Sequence, residues 1–407
     1  MPPLNDLRVI DLSRNVAGPL ATMLLGDMGA GVVKIERPPR GDEARYHGPP
    51  FVGQESPYFL SLNRNKRSLV LDVKAPVGRE VALELCRRAD VLVNNFRPGV
   101  MDGLGLGWER LRTENPRLIL CNITGFGKDG PGAGYPAYDH IIQGMSGLMS
   151  VTGSEASGPF RVGVSVSDIL AGLFALYGIL SSLHGRERSG IGEEVNVALL
   201  DASLAALTFQ ASTYFATGER PRPRGNDHPM IAPYGTFRTA DGFLNLAVGN
   251  DRMFRSLCES LGLAELPSDP RFVDNPARVR HRAELYSSLA ARLAERPADE
   301  WVDRLRAAGV ACGPILGIDQ VFQQPQVMHQ RMVERLEHPT AGPISLLGLP
   351  VKLDRDPGAV QSPPPGLGEH SAEILHELGF DDADVARLAA EGVVGPGDPT
   401  GARPALR

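Results

Sequence analysis

Short apolar runs alternate with helical segments through the first half of the chain. Runs rich in Val, Ile and Leu recur at residues 7–12, 32–36, 68–73, 90–95 and 117–124. Helical spacing at 17–28 and 77–88 separates several of them. Strands that are apolar on both faces, with helices between them, are typical of a mainly parallel sheet covered on both sides. The pattern predicts an α/β fold with a large sheet domain.

A change in composition after residue 217 indicates a second domain. The stretch 218–229 is rich in Pro, Arg and Gly and is typical of a linker. An alternating segment at 235–248, with an Asp-Gly turn, then predicts a β-hairpin, followed by two or three helices to about residue 308. The expected division is a large domain at 1–217, the linker at 218–229, a smaller α+β domain at 230–330, a return to the large domain at 331–394 and a flexible tail at 395–407.

Composition narrows the class of protein. Of 407 residues, 42% are hydrophobic and 22% are charged, with a formal net charge of -6, which does not fit the basic footprint of a nucleic-acid binder. Four cysteines, none close to another in sequence, suggest free thiols rather than a zinc site. The N-terminus has no basic segment followed by an apolar one, as a secretory signal would. We therefore expect a cytoplasmic protein without nucleic-acid or membrane partners.

Motif searches exclude several common chemistries. The sequence has no P-loop, no Gly-x-Ser-x-Gly elbow and no His-x-x-x-His pair, so no metal site is expected. The glycine cluster at 26–31 ends a predicted helix instead of opening one, which is the wrong polarity for a dinucleotide fingerprint.

One acidic residue precedes a long apolar segment. Asp168 is followed by an apolar run that reaches Leu183, which is shorter than the ~20 residues of a membrane span and predicts a buried core helix. An Asp at a helix start commonly serves as an N-cap or first-turn acid. The same poorly solvated carboxylate could instead act as a nucleophile. The residues alone leave both interpretations open.

Basic residues lie near predicted strand ends or turns of the first domain. They are Arg37, Arg40, Lys66, Arg67, Lys74, Arg97 and Lys128. Any one of them fits a solvated surface. Because ligands of open parallel sheets bind at the carboxyl ends of the strands, several bases there would also suit a polyphosphate.

Five stretches together resemble the class III CoA-transferases, the family of formyl-CoA and carnitine CoA-transferases. They are residues 9–19 with 33–38, 63–68, 93–99, 123–127 with Gly153 and 163–168, and 367–370. The resemblance implies an interlocked homodimer, a Rossmann-like large domain built from both chain ends, and a small domain in the middle. It implies that Asp168 is the catalytic carboxylate.

The resemblance also implies a set of contacts to coenzyme A, which is a substrate here and not a tightly bound cofactor. The matching positions are Val16, Ala17, Arg37, Leu71, Lys74, Asn95, Phe96, Arg97, Lys128, Tyr138 and Asp139. Many relatives carry an Arg that holds the CoA phosphates where this chain has Gly103. Arg97, Lys128 or a base of a partner subunit is expected to replace it.

The stretch 48–63 resembles members that use dicarboxylic acids, with succinyl-CoA as the expected donor. Arg45, His47 and His228 are candidates for binding a second carboxylate. The rival interpretation is a 2-methylacyl-CoA racemase, whose relatives carry a His directly before an Asp. Tyr138 occupies that His position here, and His140 is expected to lie off the site. A non-catalytic CoA-binding protein is the third interpretation.

Overall fold

The structure, a computed structural model, describes residues 1–395. Its strands are β1 Arg8–Asp11, β2 Gly31–Glu36, β3 Lys66–Val70, β4 Val91–Asn94, β5 Ile119–Thr124, β6 Gly153–Ser154, β7 Gly158–Pro159, β8 Glu194–Ala198, β9 Tyr234–Arg238, β10 Phe243–Ala247, β11 Ala311–Pro314, β12 Val333–His338 and β13 Gly342–Leu347. Its α-helices are α1 Ala17–Asp27, α2 Pro57–Leu60, α3 Pro76–Arg88, α4 Val100–Gly103, α5 Trp108–Glu114, α6 Asp139–Met145, α7 Val166–Ser189, α8 Leu199–Ala205, α9 Thr208–Thr217, α10 Asp251–Leu261, α11 Asn275–Arg280, α12 Arg282–Leu293, α13 Ala298–Ala307, α14 Ile318–Val321, α15 Pro325–His329, α16 Ser371–Glu377 and α17 Asp382–Ala390.

A six-stranded sheet organises the larger unit. Its order is β3-β2-β1-β4-β5-β8, and every neighbouring pair is parallel. The strand order reverses between β1 and β4, which places a crevice at the carboxyl ends of these two strands. This parallel sheet confirms the predicted α/β fold.

Apolar side chains cover both faces of the sheet. Alternate strand residues such as Ile10 and Leu92 join one core cluster, which includes buried residues of α3, α16 and α17. Their neighbours Val9 and Val91 join the other cluster, with α1, α7 and α8. This two-sided burial explains why the strands read as continuous apolar runs in the sequence.

Helix α7 is longer and more exposed than its apolar run predicted. It spans 24 residues, and one face, including Ala171, Ala175 and Ile179, is buried in the core. Large apolar side chains on other positions, among them Phe174 and Tyr177, are exposed. The prediction of a buried core helix was therefore right for one face only. By length and composition alone α7 could cross a membrane, but the core helix of a soluble protein passes the same test.

The chain divides into two compact units. The larger unit contains Met1–Met149, Arg161–Glu219 and the chain from Met328 onward, and the smaller unit contains Ser150–Phe160 and Arg220–Val327. The smaller unit has a three-stranded sheet, β11-β10-β9, around which α10, α12 and α13 bury their apolar sides. The inclusion of Ser150–Phe160, with the short β6-β7 pair, was not expected from the sequence.

Several short elements escaped the sequence pattern. The β12-β13 hairpin, strand β11 and helices such as α2 and α5 were not predicted, because they are short and carry little periodicity. Four α-helices, α10 to α13, lie between β10 and β11, where two or three were expected. Of the predicted tail, only Gly395 lies inside the described residues, and its amide donates to the Val70 carbonyl over 3.3 Å.

Close packing of α1 against α7 depends on one glycine. A Cβ atom on Gly172 would lie 2.6 Å from the Ala17 carbonyl oxygen. We predict that Gly172→Ala lowers the free energy of unfolding by about 1–2 kcal/mol, because overpacking outweighs the gain in helix propensity. Gly185→Ala is the matched control, since it lies in the same helix with nothing within 4 Å of the added Cβ. Denaturant unfolding should show the control to be neutral or stabilised, and a stabilised Gly172→Ala would contradict the packing.

Candidate active site

The crevice between β1 and β4 contains a cleft of 390 Å³, called the first cleft below. It is lined by Leu12, Ser13, Arg14, Lys34, Ile35, Glu36, Arg37, Gly41, Asp42, Leu71, Asp72, Val73, Lys74, Phe96, Arg97, Val100 and Leu104. These residues follow or end the strands β1 to β4, so their side chains meet at one edge of the sheet. The cleft combines apolar walls with several cations, as an anionic ligand with a flat apolar part would require.

Buried charges hold the turn after β1. The amide of Ser13 donates to the Asp11 carboxylate over 2.8 Å, and the Lys34 ammonium donates to the Ser13 carbonyl over 2.8 Å. Lys66 pairs with Asp11 at 2.9 Å, and Lys34 pairs with Asp42 at 2.9 Å, with all four side chains fully buried. Burial alone would raise the pKa of Asp11, but the two lysines hold it well below its usual value. Buried side chains beneath the cleft therefore fix the backbone of the turn after β1.

Arg45 belongs to this buried layer and not to the open site. Its Nε and Nη2 atoms each donate to the Glu36 carboxylate over 2.8 Å, and Nη2 also donates to the Pro365 carbonyl over 3.1 Å. A bidentate pair of this kind occupies most of the guanidinium. The prediction that Arg45 binds a substrate carboxylate is therefore wrong. His228 belongs to the smaller unit.

The basic side chains at the first cleft differ in whether they form ion pairs. Arg14 and Arg37 both donate to Glu43 Oε1, over 2.9 Å and 2.6 Å respectively. Lys74 and Arg97 are exposed, and among the residues 1–395 neither forms an ion pair. These two are the cations most available to an incoming anion.

A second cleft of 400 Å³ continues from the first, since both are lined by Arg14, Phe96 and Arg97. It is called the Asp168 cleft below. Its lining also includes Asn15, Ala17, His47, Tyr58, Asn95, Pro98, Ile123, Thr124, Gly125, Ala133, Tyr135, Pro136, Ala137, Tyr138, Asp139, His140, Arg161, Ser165, Asp168 and Leu199. One elongated ligand could therefore extend from the crevice to Asp168.

Asp168 lies in the first turn of α7 and is partly buried. Burial raises the pKa of its carboxyl to about 7, and the nearby negative charge of Asp139 adds to the shift. Within the described chain the Asp168 side chain forms no ion pair or hydrogen bond. It is thus a carboxylate without structural partners, pointed at a cleft, and such perturbed groups are concentrated at functional sites.

Asp139 performs the capping that the sequence suggested for Asp168. Its Oδ1 atom accepts a hydrogen bond from the Ser167 amide over 2.9 Å, which satisfies a free N–H in the first turn of α7. Its Oδ2 atom accepts from Gln143 Nε2 over 2.8 Å. The Ser165 side chain at the N-cap position makes no cap bond. Because another helix supplies the cap, Asp168 is left available for chemistry.

Gln143 fixes the loop that leads into α7. Its Oε1 accepts from the Val162 amide over 2.8 Å, and its Nε2 donates to the Val164 carbonyl over 3.4 Å as well as to Asp139. The side chain is fully buried. The loop backbone is therefore held at two points beside the Asp168 cleft.

Tyr58 and His47 line the cleft beside Asp168. Burial raises the pKa of the Tyr58 phenol, the Asp168 charge raises it further, and a hydrogen bond with the Ser165 side chain opposes both. The rings of His47 and Tyr58 meet edge to face, with their centroids 4.9 Å apart. Two polar groups that can reach a substrate oxygen thus stand near the carboxylate.

Most residues proposed from the resemblance line one of the two clefts. Arg37, Leu71, Lys74, Phe96 and Arg97 line the first, and Ala17, Asn95, Phe96, Arg97, Tyr138, Asp139 and Asp168 line the second. The Asn95 side chain also holds the turn after β1. Its Oδ1 atom accepts from the Arg14 backbone N–H over 2.9 Å, and its Nδ2 atom donates to the Arg14 carbonyl over 2.7 Å.

Three expectations need correction. Val16 is buried and lines neither cleft. Lys128 pairs with Glu194 and also lies outside both linings, so it is not placed to replace the Arg missing at Gly103. His140 lines the Asp168 cleft, although it was expected to lie off the site.

Sequence reasoning missed Arg14, Tyr58, Gln143 and Arg161. Arg14 lies three residues after the end of β1, in the turn at the crevice, so its position near a strand end was a usable signal. No comparable signal marks the other three, because only the fold brings Tyr58 and Arg161 to the cleft and Gln143 to the loop at 162–164. Among residues 1–395, no cluster of three or more His, Cys, Asp or Glu side chains could hold a metal ion.

Comparisons with known proteins identify a family for this chain. The family model described as CoA-transferase family III matches residues 4–371. A mouse succinyl-CoA:glutarate CoA-transferase is 41% identical over 97% of this chain and 91% of its own length. An Acetobacter aceti acetyl-CoA:oxalate CoA-transferase is 41% identical over 94% of this chain and 97% of its own. The crystal structure of a CAIB/BAIF family protein from Brucella suis superposes with a TM-score of 0.83 at 39% identity, covering 92% of this chain and 99% of that one.

The raised pKa of Asp168 predicts how stability depends on pH. The folded chain keeps a proton up to about pH 7 that the unfolded chain releases near pH 4, so stability falls as pH rises through this window. Asp168→Asn cannot ionise and should be more stable than wild type at pH 8, by about 1–4 kcal/mol. The difference should shrink towards zero at pH 4.5. Urea unfolding at both pH values measures it, and an equal difference at both would contradict the raised pKa.

Proposed function

Because the chain belongs to CoA-transferase family III and is a CoA-transferase, we propose that it moves CoA from an acyl-CoA donor to a dicarboxylic acid through a covalent intermediate on Asp168. The observation that carries the proposal is the Asp168 carboxylate, which is partly buried, has a pKa raised to about 7 and lines a cleft that continues from the crevice of the sheet. Asp and Glu carboxylates with such surroundings are known covalent nucleophiles.

Coenzyme A fits the two connected clefts. Its nucleotide would occupy the first cleft, where Lys74 and Arg97 are exposed cations beside the apolar walls of Leu71 and Val100. Its pantetheine arm would pass Phe96, which lines both clefts. This arrangement brings the thioester to Asp168, and Arg97 takes the role of the Arg missing at Gly103.

The proposed reaction proceeds in four acyl-transfer steps. A carboxylate oxygen of Asp168 attacks the donor thioester carbonyl, which breaks the C–S bond and gives a mixed anhydride and CoA thiolate. The thiolate attacks the aspartyl carbonyl carbon, which gives an aspartyl-CoA thioester and releases the donor acid. The acceptor carboxylate then attacks this thioester, which gives a second anhydride and thiolate. Attack of the thiolate on the acceptor acyl carbon releases the new acyl-CoA and restores the Asp168 carboxylate.

The surroundings of Asp168 suit these steps. The Tyr58 phenol and the Ser165 hydroxyl lie beside the carboxylate and can donate hydrogen bonds to the oxyanion of each addition step. The apolar core behind the first turns of α7, including Ala171 and Ala175, limits the access of water that would hydrolyse the anhydride.

The dicarboxylic acceptor is supported by the names of two relatives. The mouse enzyme is named for glutarate and the Acetobacter enzyme for oxalate, both of which are dicarboxylic acids. Their donors differ, since one is named for succinyl-CoA and the other for acetyl-CoA. We retain succinyl-CoA as the proposed donor, because the segment 48–63 resembles succinyl-CoA-dependent members.

A homodimer and a cytoplasmic location complete the proposal. The exposed apolar side chains on α7, such as Phe174 and Tyr177, would be covered by a second copy of the chain. The four cysteines are all free, as a reducing compartment would keep them.

A racemase reaction is the second candidate activity of this site, because His140 lines the Asp168 cleft together with Asp139 and Asp168. An imidazole and a carboxylate in one cleft could in principle transfer a proton at the α-carbon of an acyl-CoA.

Removal of the carboxylate tests the transferase mechanism. We predict that Asp168→Asn and Asp168→Ala lower CoA transfer from succinyl-CoA to glutarate to background, because neither side chain can form the anhydride. Wild type incubated with succinyl-CoA should carry CoA bound as a hydroxylamine-sensitive thioester, detected by intact-mass measurement and located at Asp168 by peptide mapping.

Asp201→Asn is the matched control for this substitution. Asp201 is also the third residue of a helix, α8, but it is exposed and lies outside the Asp168 cleft. The control should transfer CoA at the wild-type rate. More than trace transfer by Asp168→Ala would show that another group is the nucleophile.

Isotope exchange separates the two candidate functions. With a 2-methylacyl-CoA in deuterium oxide and no acceptor acid, a transferase should incorporate no deuterium at the α-carbon, whereas a racemase must. Mass spectrometry of the recovered acyl-CoA measures the exchange. Deuterium incorporation that is lost in His140→Ala would favour the racemase.

A further inference from the structure

We propose that the Arg161 guanidinium receives the distal carboxylate of the dicarboxylic acid while the proximal carboxylate reacts at Asp168. The proposal rests on the transferase function above and names the residue that selects the acid. Arg161 lines the Asp168 cleft and is half-exposed, with 47% of its side chain accessible.

The other arginines near the Asp168 cleft are paired, buried or shared with the first cleft. Arg14 is paired with Glu43 at 2.9 Å, and Arg45 is buried against Glu36. Arg97 lines both clefts and is available to the phosphates of coenzyme A. Arg161 is left as a cation of this cleft that does not also line the first cleft.

Arg161 has donors to offer because its one ion-pair contact within residues 1–395 is long. Its Nη1 atom lies 4.0 Å from Asp139 Oδ2, beyond hydrogen-bond distance. Both Asp139 oxygens already accept short hydrogen bonds, from the Ser167 amide and from Gln143. The guanidinium therefore offsets the Asp139 charge while its remaining N–H groups can bind a carboxylate from the cleft.

The backbone next to Arg161 and the backbone next to Asp168 are held by one hydrogen-bonded group. Gln143 holds the amide of the next residue, Val162, over 2.8 Å. The same Gln143 binds Asp139, whose other oxygen holds the amide of Ser167, directly before Asp168. Arg161 Nη1 also lies 4.0 Å from this Asp139 carboxylate, so the guanidinium and the Asp168 side chain lie in the same neighbourhood of the cleft. A diacid with a short carbon chain suits this arrangement.

Acceptor selectivity tests the role of Arg161. The acceptors are glutarate and its monoamide, which has the same length but a neutral distal group, with succinyl-CoA as donor. The kcat/KM for glutarate divided by the kcat/KM for its monoamide measures recognition of the distal charge. Arg161→Gln should lower this ratio about 10-fold or more, as expected for the loss of a charge-assisted hydrogen bond at a half-exposed site. Arg161→Lys keeps the charge and should restore part of the ratio, which a folding defect would not do.

Arg97→Gln is the control variant, because Arg97 is proposed to bind the phosphates of coenzyme A. This substitution should lower kcat/KM for both acceptors by the same factor. The ratio of the two kcat/KM values should therefore stay at the wild-type value. A wild-type ratio in Arg161→Gln, or a wild type that does not discriminate the two acceptors, overturns the assignment of Arg161. A wild type that transfers CoA to neither acid, nor to any other acid from succinyl-CoA, overturns the proposed function as well.

Discussion

The hydrogen bond from the Ser167 amide to Asp139 determines what Asp168 can do. A helix start leaves free N–H groups, which the side chain of the N-cap residue or a nearby acid commonly satisfies. In this chain a carboxylate from α6 accepts that hydrogen bond over 2.9 Å, so the acid in the first turn of α7 has no capping duty. The same carboxylate places a negative charge beside Asp168 and adds to the rise in its pKa. Asp139 thus leaves the Asp168 carboxyl free of a capping role and also raises its pKa.

A second constraint lies under the crevice. The pairs Lys66–Asp11 and Lys34–Asp42 are fully buried, and buried pairs of this kind give little net stability compared with apolar side chains of similar size. Their value is geometric, because Lys34 and Asp11 also bind the carbonyl and the amide of Ser13. The turn after β1 carries Arg14 into both clefts, so the buried charges fix a wall of the ligand site.

The sequence was sufficient for features that depend on periodicity and strand ends. The parallel sheet was predicted from the apolar periodicity of its strands, and a ligand crevice was expected where parallel strands deliver their next residues to the same edge. The catalytic role of Asp168 and the contacts that follow β4 were instead implied by the resemblance to a known family. The engagement of Arg45 could not be predicted, since its partner Glu36 lies on another segment and only the fold brings them together. Lys128 failed for the same reason, because Glu194 of the neighbouring strand binds it. The exposed face of α7 could not be predicted either, since the sequence places apolar residues on both faces of this helix.

The forces that raise the pKa of Asp168 also bear on the energetics of the proposed intermediates. Burial and the Asp139 charge both disfavour the ionised carboxylate. An acyl anhydride or an aspartyl thioester carries no charge at that position, so acylation removes the same unfavourable interactions that protonation removes. A pKa raised from 3.8 to about 7 corresponds to about 4 kcal/mol at most. In the proposed mechanism, the covalent states would be favoured by up to that amount relative to a fully solvated aspartate, which would allow CoA to remain on the enzyme while one acid leaves and the next enters.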